Sequence, residues 1–122
     1  MADKNTTLGL YIHIPFCRQK CPYCDFYSFA ADEDTKEKYT DAIIKNIILW
    51  QNTRNLTFST VYFGGGTPSQ LGSRRLSEIV QVISKTPDCE VTVECNPFDL
   101  SESWDIMDMQ NLTKSGVNRI SM

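Results

Sequence analysis

The chain has 122 residues, of which 41% are hydrophobic and 22% charged, a composition typical of a folded protein with one core. A net charge of −3 argues against a nucleic-acid-binding surface, which needs concentrated basic side chains. No run reaches the roughly 18 apolar residues that span a bilayer, and polar residues 1–7 do not resemble a secretory signal. We therefore expect a cytoplasmic protein with no transmembrane segment, whose partners are small molecules and other proteins.

The first predicted strand covers residues 8–14, which are almost continuously apolar and include aromatic and β-branched side chains. Pro15 ends it. Asp34 then resembles a helix N-cap with Glu37 three residues later, and apolar residues follow at helical spacing as far as Trp50. The sequence thus predicts a first helix of about four turns.

Three further strands and two helices follow the same alternation. Residues 60–63, 90–94 and 117–122 have the composition of short buried strands. Apolar residues recur at helical spacing between residues 73 and 84, and a third helical stretch covers residues 101–114. The order is strand, helix, strand, helix, strand, helix, strand.

This alternation predicts an α/β fold, in which successive βα units form a parallel sheet with strands buried on both faces. Ligands bind such folds at the carboxyl ends of the strands. A cysteine-rich loop, a glycine turn at residues 64–66 and the segment 94–97 each follow a predicted strand, so we expect one site built from three loops. Because the last strand has no closing element, we expect residues 1–122 to be the N-terminal part of one longer domain; dimerisation across the open edge is the alternative.

Three of the five cysteines lie within eight residues, at Cys17, Cys21 and Cys24. In a chain without a secretory signal, such spacing favours a metal site over disulfides. Three thiolates on one loop can hold three corners of a [4Fe-4S] cluster and leave the fourth iron open to another ligand.

Two other arrangements of these cysteines remain open. Cys89 or Cys95 would close the cluster as a fourth ligand, although buried free cysteine more often packs as a small hydrophobe. His13, the only histidine, would complete a tetrahedral zinc site with the three clustered cysteines.

Four segments resemble the radical-SAM family that includes oxygen-independent coproporphyrinogen III oxidases and their haem-chaperone relatives. They are YIHIPFC at residues 11–17, CPYCDF at 21–26, VYFGGGTPS at 61–69 and ECNP at 94–97. The matches occur in the family's order and on a compatible strand and helix pattern, which is more specific than a lone glycine triplet. The resemblance implies that the chain forms the first half of a partial (β/α)6 barrel.

The resemblance also implies the cofactors and the residues that hold them. Cys17, Cys21 and Cys24 would hold the [4Fe-4S] cluster, whose open iron would chelate S-adenosylmethionine (SAM), and one electron would then cleave SAM to methionine and a 5′-deoxyadenosyl radical. The family pattern implies six further cofactor contacts: Tyr11, Tyr23, Gly65, Gly66, Thr67 and Glu94.

Within the family, Phe26 is informative because the oxidase branch carries a cysteine at the matching position. The resemblance is therefore closer to the haem-chaperone branch, which implies haem or porphyrin as a ligand of the full-length protein, an electron donor protein and a haem-acceptor protein. A genuine coproporphyrinogen III oxidase and a non-catalytic zinc-binding module are the alternatives. We expect a fragment of this length to be inactive alone.

Overall fold

A computed structural model describes residues 6–17, 31–97 and 99–122. They contain a four-stranded parallel sheet in the order β1-β2-β3-β4. The strands are β1 (Thr6–Ile14), β2 (Leu56–Gly65), β3 (Lys85–Glu94) and β4 (Arg119–Ser121). The predicted α/β class and parallel sheet are confirmed.

Three α-helices connect the strands: α1 (Glu33–Arg54), α2 (Ser73–Val82) and α3 (Ile106–Ser115). A 3₁₀ turn at Pro68–Leu71 precedes α2, and a π-helical turn at Asp99–Ser103 precedes α3. Because each connection joins neighbouring strands in the same direction, a constant right-handed crossover places the three helices on one face of the sheet. Within the described ranges, none of the helices is long and apolar enough to cross a membrane.

The predicted start and length of α1 were wrong. Asp32 is the N-cap, and its carboxylate accepts a hydrogen bond of 2.8 Å from the Thr35 amide, whereas Asp34 lies in the first turn. The helix continues for 22 residues and ends at Asn55, which adopts the left-handed conformation. The prediction stopped too early because polar residues 51–54 form a last turn with an exposed surface.

The other boundaries also differ from the predicted ones. β2 and β3 are each 10 residues long, about twice the predicted length. β2 already pairs with β1 from Leu56, and β3 first pairs with β2 at Lys85, before an irregularity in the register that ends at Glu90. Asp105 caps α3 through a reciprocal capping box with Asp108, so α3 begins at Ile106 rather than near residue 101. β4 is three residues long, shorter than the predicted 117–122.

The core lies between the sheet and the helices. Side chains that alternate along the strands, such as Ile12, Phe63 and Val93, are buried against Ile79 and Leu112 of the helices. On the opposite face, Tyr11 is 57% exposed. The expectation that both faces are buried was therefore wrong for Tyr11, because all three helices cover the other side, whereas Thr92 of β3 on the same face as Tyr11 is buried.

Candidate functional site

The glycine turn after β2 is bonded to the chain that leaves β1. The Gly66 amide donates to the carbonyl oxygen of Ile14 at 2.8 Å, and the Thr67 amide donates to that of Phe16 at 2.7 Å. Phe16 immediately precedes Cys17. Two backbone hydrogen bonds therefore fix the base of the cysteine loop against the turn, at the carboxyl edge of the sheet.

Glycine is required in this turn for two different reasons. Gly65 has φ = +112°, a conformation that residues with a Cβ rarely adopt. A Cβ on Gly66 would lie 2.6 Å from the Phe16 carbonyl oxygen, which is too close for van der Waals contact. The sequence predicted close approach of a ligand to these glycines, and the structure adds a close approach of the protein's own backbone.

Cys17 is the one cluster cysteine that the structure describes, and its side chain is buried at the end of β1. Cys21, Cys24, Tyr23 and Phe26 lie outside the described residues. Within residues 6–17, 31–97 and 99–122, no three side chains of histidine, cysteine, aspartate or glutamate are grouped as metal ligands. A soft thiol donor beside the glycine turn nevertheless fits an iron-sulfur cluster at this edge.

The uncovered face of the sheet carries aromatic and polar side chains near that edge. Tyr11 and Tyr62 are register partners on β1 and β2, and their rings stack with centroids 6.1 Å apart. The Tyr11 hydroxyl and Glu94 Oε1 lie 2.9 and 3.1 Å from the position that a Cβ on Gly64 would occupy. Gly64 is buried beneath these two side chains, and its lack of a side chain allows the Tyr11 hydroxyl and the Glu94 carboxylate to lie close together over β2.

His13 lies beside Tyr11 on the same face of β1. Its ring packs over Gly65 and its Nδ1 lies 3.4 Å from the Tyr11 hydroxyl. The sequence placed His13 within the first strand, which is confirmed.

Glu94 is half-buried at the end of β3 and has a partner that the sequence did not reveal. The Tyr62 hydroxyl donates to Glu94 Oε2 at 2.7 Å. This hydrogen bond, followed by partial desolvation, raises the pKa of Tyr62 above its ordinary value. The sequence predicts Tyr62 as a strand residue within the segment VYFGGGTPS and gives it no role at the site; its position two residues before Gly64, on the same face of β2, is the signal that points to one.

A second set of hydrogen bonds holds the glycine loop to the loop after β3. Asp99 is buried and accepts hydrogen bonds from Ser69 Oγ at 2.6 Å and Gln70 Nε2 at 2.7 Å. Ser69 Oγ in turn accepts from the Asn96 amide at 3.1 Å. The three predicted loops are therefore brought together through backbone and buried side-chain hydrogen bonds, as far as the structure describes them.

The remaining cysteines are buried thiols. Cys89 lies in the amino-terminal half of β3, and Cys95 follows the strand on its helix-covered side. Burial raises the pKa of Cys95 to about 11. Without a bound metal, this thiol is therefore in its neutral form at neutral pH.

Comparison with known protein families identifies the superfamily of this chain. Residues 11–122 match the radical SAM superfamily. The chain belongs to that superfamily. The matched residues run from Tyr11, within β1, to Met122.

Three relatives illustrate the similarity. The chain is 34% identical over 120 residues to anaerobilin synthase of Escherichia coli O157:H7, covering 93% of this chain and 26% of that protein. It is 36% identical over 123 residues to heme chaperone HemW of Buchnera aphidicola, covering 94% of this chain and 31% of that protein. The solved structure of coproporphyrinogen III oxidase (HemN) from Escherichia coli, a radical SAM enzyme, superposes with a TM-score of 0.80 at 26% identity, over 97% of this chain and 28% of that one. The chain thus spans between about a quarter and a third of the length of these proteins.

Proposed function

We propose that this radical SAM chain holds a [4Fe-4S] cluster on Cys17, Cys21 and Cys24 and binds SAM at the carboxyl edge of its sheet. The observation that supports this most directly is the pair of hydrogen bonds from Gly66 and Thr67 to the backbone just before Cys17. They hold the base of the cysteine loop and the glycine turn in contact.

The SAM contacts that we propose follow from the same edge. The backbone of Gly65 and Gly66 and the hydroxyl of Thr67 would border the methionine moiety, and Glu94 would accept a hydrogen bond from its amine or from the ribose. Tyr11 and Tyr23 would complete the walls and limit access of water. When bound, the reduced cluster would supply the electron that cleaves the carbon–sulfur bond of SAM.

For the whole protein, we propose a haem chaperone related to coproporphyrinogen III oxidase. A relative named heme chaperone at 36% identity supports this assignment, as does phenylalanine rather than cysteine at residue 26. Its partners would be haem or a porphyrin, an electron donor protein and a haem-acceptor protein. Oxidative decarboxylation of coproporphyrinogen III is the second candidate, which the superposition on the oxidase supports.

The cluster is tested by anaerobic reconstitution with iron and sulfide, followed by EPR of the reduced protein with and without SAM. We expect a [4Fe-4S]⁺ signal that changes when SAM is added and that is lost in Cys17→Ala, Cys21→Ala and Cys24→Ala. Cys89→Ala is the matched control, because Cys89 lies toward the other end of β3 and should leave the signal unchanged. Loss of the signal in Cys95→Ala would indicate a closed four-cysteine cluster instead.

Metal analysis of the purified protein tests the zinc-binding alternative. Uptake of one zinc ion per chain without formation of a cluster, together with loss of zinc in His13→Ala, would contradict the radical SAM function and support a zinc module.

Two measurements then separate the candidate activities of the whole protein. The chaperone proposal predicts binding of haem, seen as a shift in its visible absorbance, and no decarboxylated product after incubation with coproporphyrinogen III, SAM and a reductant. Chromatographic detection of a vinyl-containing porphyrinogen would favour the oxidase.

A further inference from the structure

Tyr62 lies in the matching segment VYFGGGTPS, just before the glycine turn, and is not one of the proposed SAM contacts. It nevertheless contacts two residues of the proposed SAM site. Its hydroxyl donates to Glu94 at 2.7 Å, and its ring stacks on Tyr11 with an interplanar angle of 14°. Both neighbours are proposed SAM contacts. β2 therefore supports, from the centre of the sheet, side chains that arise from β1 and β3.

The two oxygens of Glu94 have different surroundings. Oε2 accepts the hydrogen bond from Tyr62, whereas Oε1 lies over Gly64 on the side of the Tyr11 hydroxyl. A glutamate has three rotatable side-chain bonds, and ordering them without a partner costs conformational entropy. The hydrogen bond from Tyr62 to Oε2 holds the carboxylate in the orientation that directs Oε1 toward Tyr11, the other proposed SAM contact on this face.

We propose that Tyr62 is a positioning residue that orients Glu94 for a hydrogen-bond donor of SAM, an inference that rests on the proposed function of this site. The donor class is an ammonium or hydroxyl group, because an ionised carboxylate only accepts hydrogen bonds. Tyr62 itself remains occupied by Glu94 and acts through it.

Other groups on the same face affect the pKa of Tyr62. Arg119 of β4 lies near enough to lower the pKa of Tyr62 electrostatically, and a hydrogen bond with the Ser121 side chain has the same direction. Hydrogen bonding to Glu94, partial desolvation and the charge of Glu94 outweigh both, so the pKa of Tyr62 is raised. Arg119 also lies 3.5 Å from Glu90, which makes Glu90 a matched acidic control on the same strand and face.

The first test needs no cofactor. NMR of protein labelled with ¹³C at tyrosine Cζ follows the pH titration of each tyrosine, and Tyr62→Phe identifies the signal of Tyr62. Glu94→Gln should lower the pKa of Tyr62 toward that of free tyrosine, about 10, because the charge that opposes ionisation is removed. Glu90→Gln should change it much less. A pKa of Tyr62 that does not respond to Glu94→Gln would overturn the proposal.

The second test measures SAM affinity of the reconstituted protein by equilibrium dialysis. Tyr62→Phe should weaken binding about 10-fold, the factor expected when one hydrogen bond to a charged group is lost. Because Tyr62 acts through Glu94, the double variant should bind no more weakly than Glu94→Gln alone. Additive effects, or an unchanged affinity in either single variant, would sink the inference.

Failure of the positioning role and failure of the cofactor site give different results. If wild-type protein shows the SAM-sensitive cluster signal while Tyr62→Phe binds SAM as wild type does, only the positioning role fails. If no cluster forms, the proposed function fails, and the inference about SAM fails with it, whatever the Tyr62 titration shows.

Discussion

The two faces of the sheet differ in what their side chains do, although they alternate along the same strands. On the helix-covered face, Phe63 and Val93 are fully buried in the core. Their chain neighbours Tyr62 and Glu94 lie on the uncovered face and are joined by a hydrogen bond. Because successive residues of a strand point to opposite faces, a shift of one position separates a stabilising side chain from one that borders the candidate site.

The largest effect expected from this comparison is on stability. Phe63→Ala should lower the free energy of unfolding by about 3–5 kcal/mol, since it leaves a cavity in a well-packed core. Urea denaturation followed by circular dichroism measures the change. Tyr62→Phe, one residue earlier, should leave the denaturation midpoint close to that of wild type.

The comparison would be wrong if Tyr62→Phe destabilised the fold as strongly as Phe63→Ala. The uncovered face would then be part of the stabilising structure, and a change in SAM affinity in Tyr62→Phe would reflect unfolding.

A smaller effect concerns the thiol next to Glu94 on the covered side. Burial raises the pKa of Cys95 to about 11 from an ordinary value of 9.0, so the folded state favours the neutral thiol. Stability from this group is fully present below pH 9 and is lost as the pH rises toward 11, because the unfolded state then releases the proton first. At about 1.4 kcal/mol per pKa unit, the loss amounts to about 2–3 kcal/mol.

Urea denaturation between pH 8 and about 11 checks this, with Cys95→Ala as the reference that lacks the titrating group. The difference in unfolding free energy between the two proteins should change across that interval. A constant difference would place the Cys95 thiol in contact with water.

The smallest effect concerns the contact between helices α1 and α2. Arg75 of α2 is nearly buried and donates to Glu33 and Glu37 of α1 as well as to the Leu71 carbonyl oxygen. Because both carboxylates are partly exposed, solvent screens these ion pairs. Arg75→Ala should lower the unfolding free energy by about 1–2 kcal/mol, mainly through the lost backbone hydrogen bond and side-chain packing.

Arg74→Ala is the matched control, since Arg74 also contacts Glu37 but is 59% exposed. Equal midpoints for the two variants in urea would show that burial of the Arg75 side chain contributes nothing to joining α1 and α2.

Much of the architecture was predictable because it depends on local patterns. An almost continuous apolar run identified β1, short segments of strand-like composition identified the other three strands, and the helical spacing of residues 76–83 identified α2. Helix ends were less predictable, since Asp32 and Asp34 are both plausible caps and only the backbone conformation selects Asp32.

In the candidate site, too, the local features were predictable and the long-range contacts were not. Cysteine spacing and the glycine triplet indicated which loops form the candidate site, because metal ligation and tight turns restrict residue type locally. The partnership of Tyr62 with Glu94 spans 32 residues, and the tie from Ser69 to Asp99 spans 30. Neither pair has a local signature.

The sequence by itself determined the alternation of strands and helices, the parallel sheet and the set of loops at one edge, since each follows from short-range periodicity and chain direction. Only the tertiary structure decided which face of each strand is covered, that Gly66 must lack a side chain to admit Phe16, and that Glu94 is held by Tyr62. The physical reason is that these relations depend on strand register and helix placement, which join residues far apart in the chain.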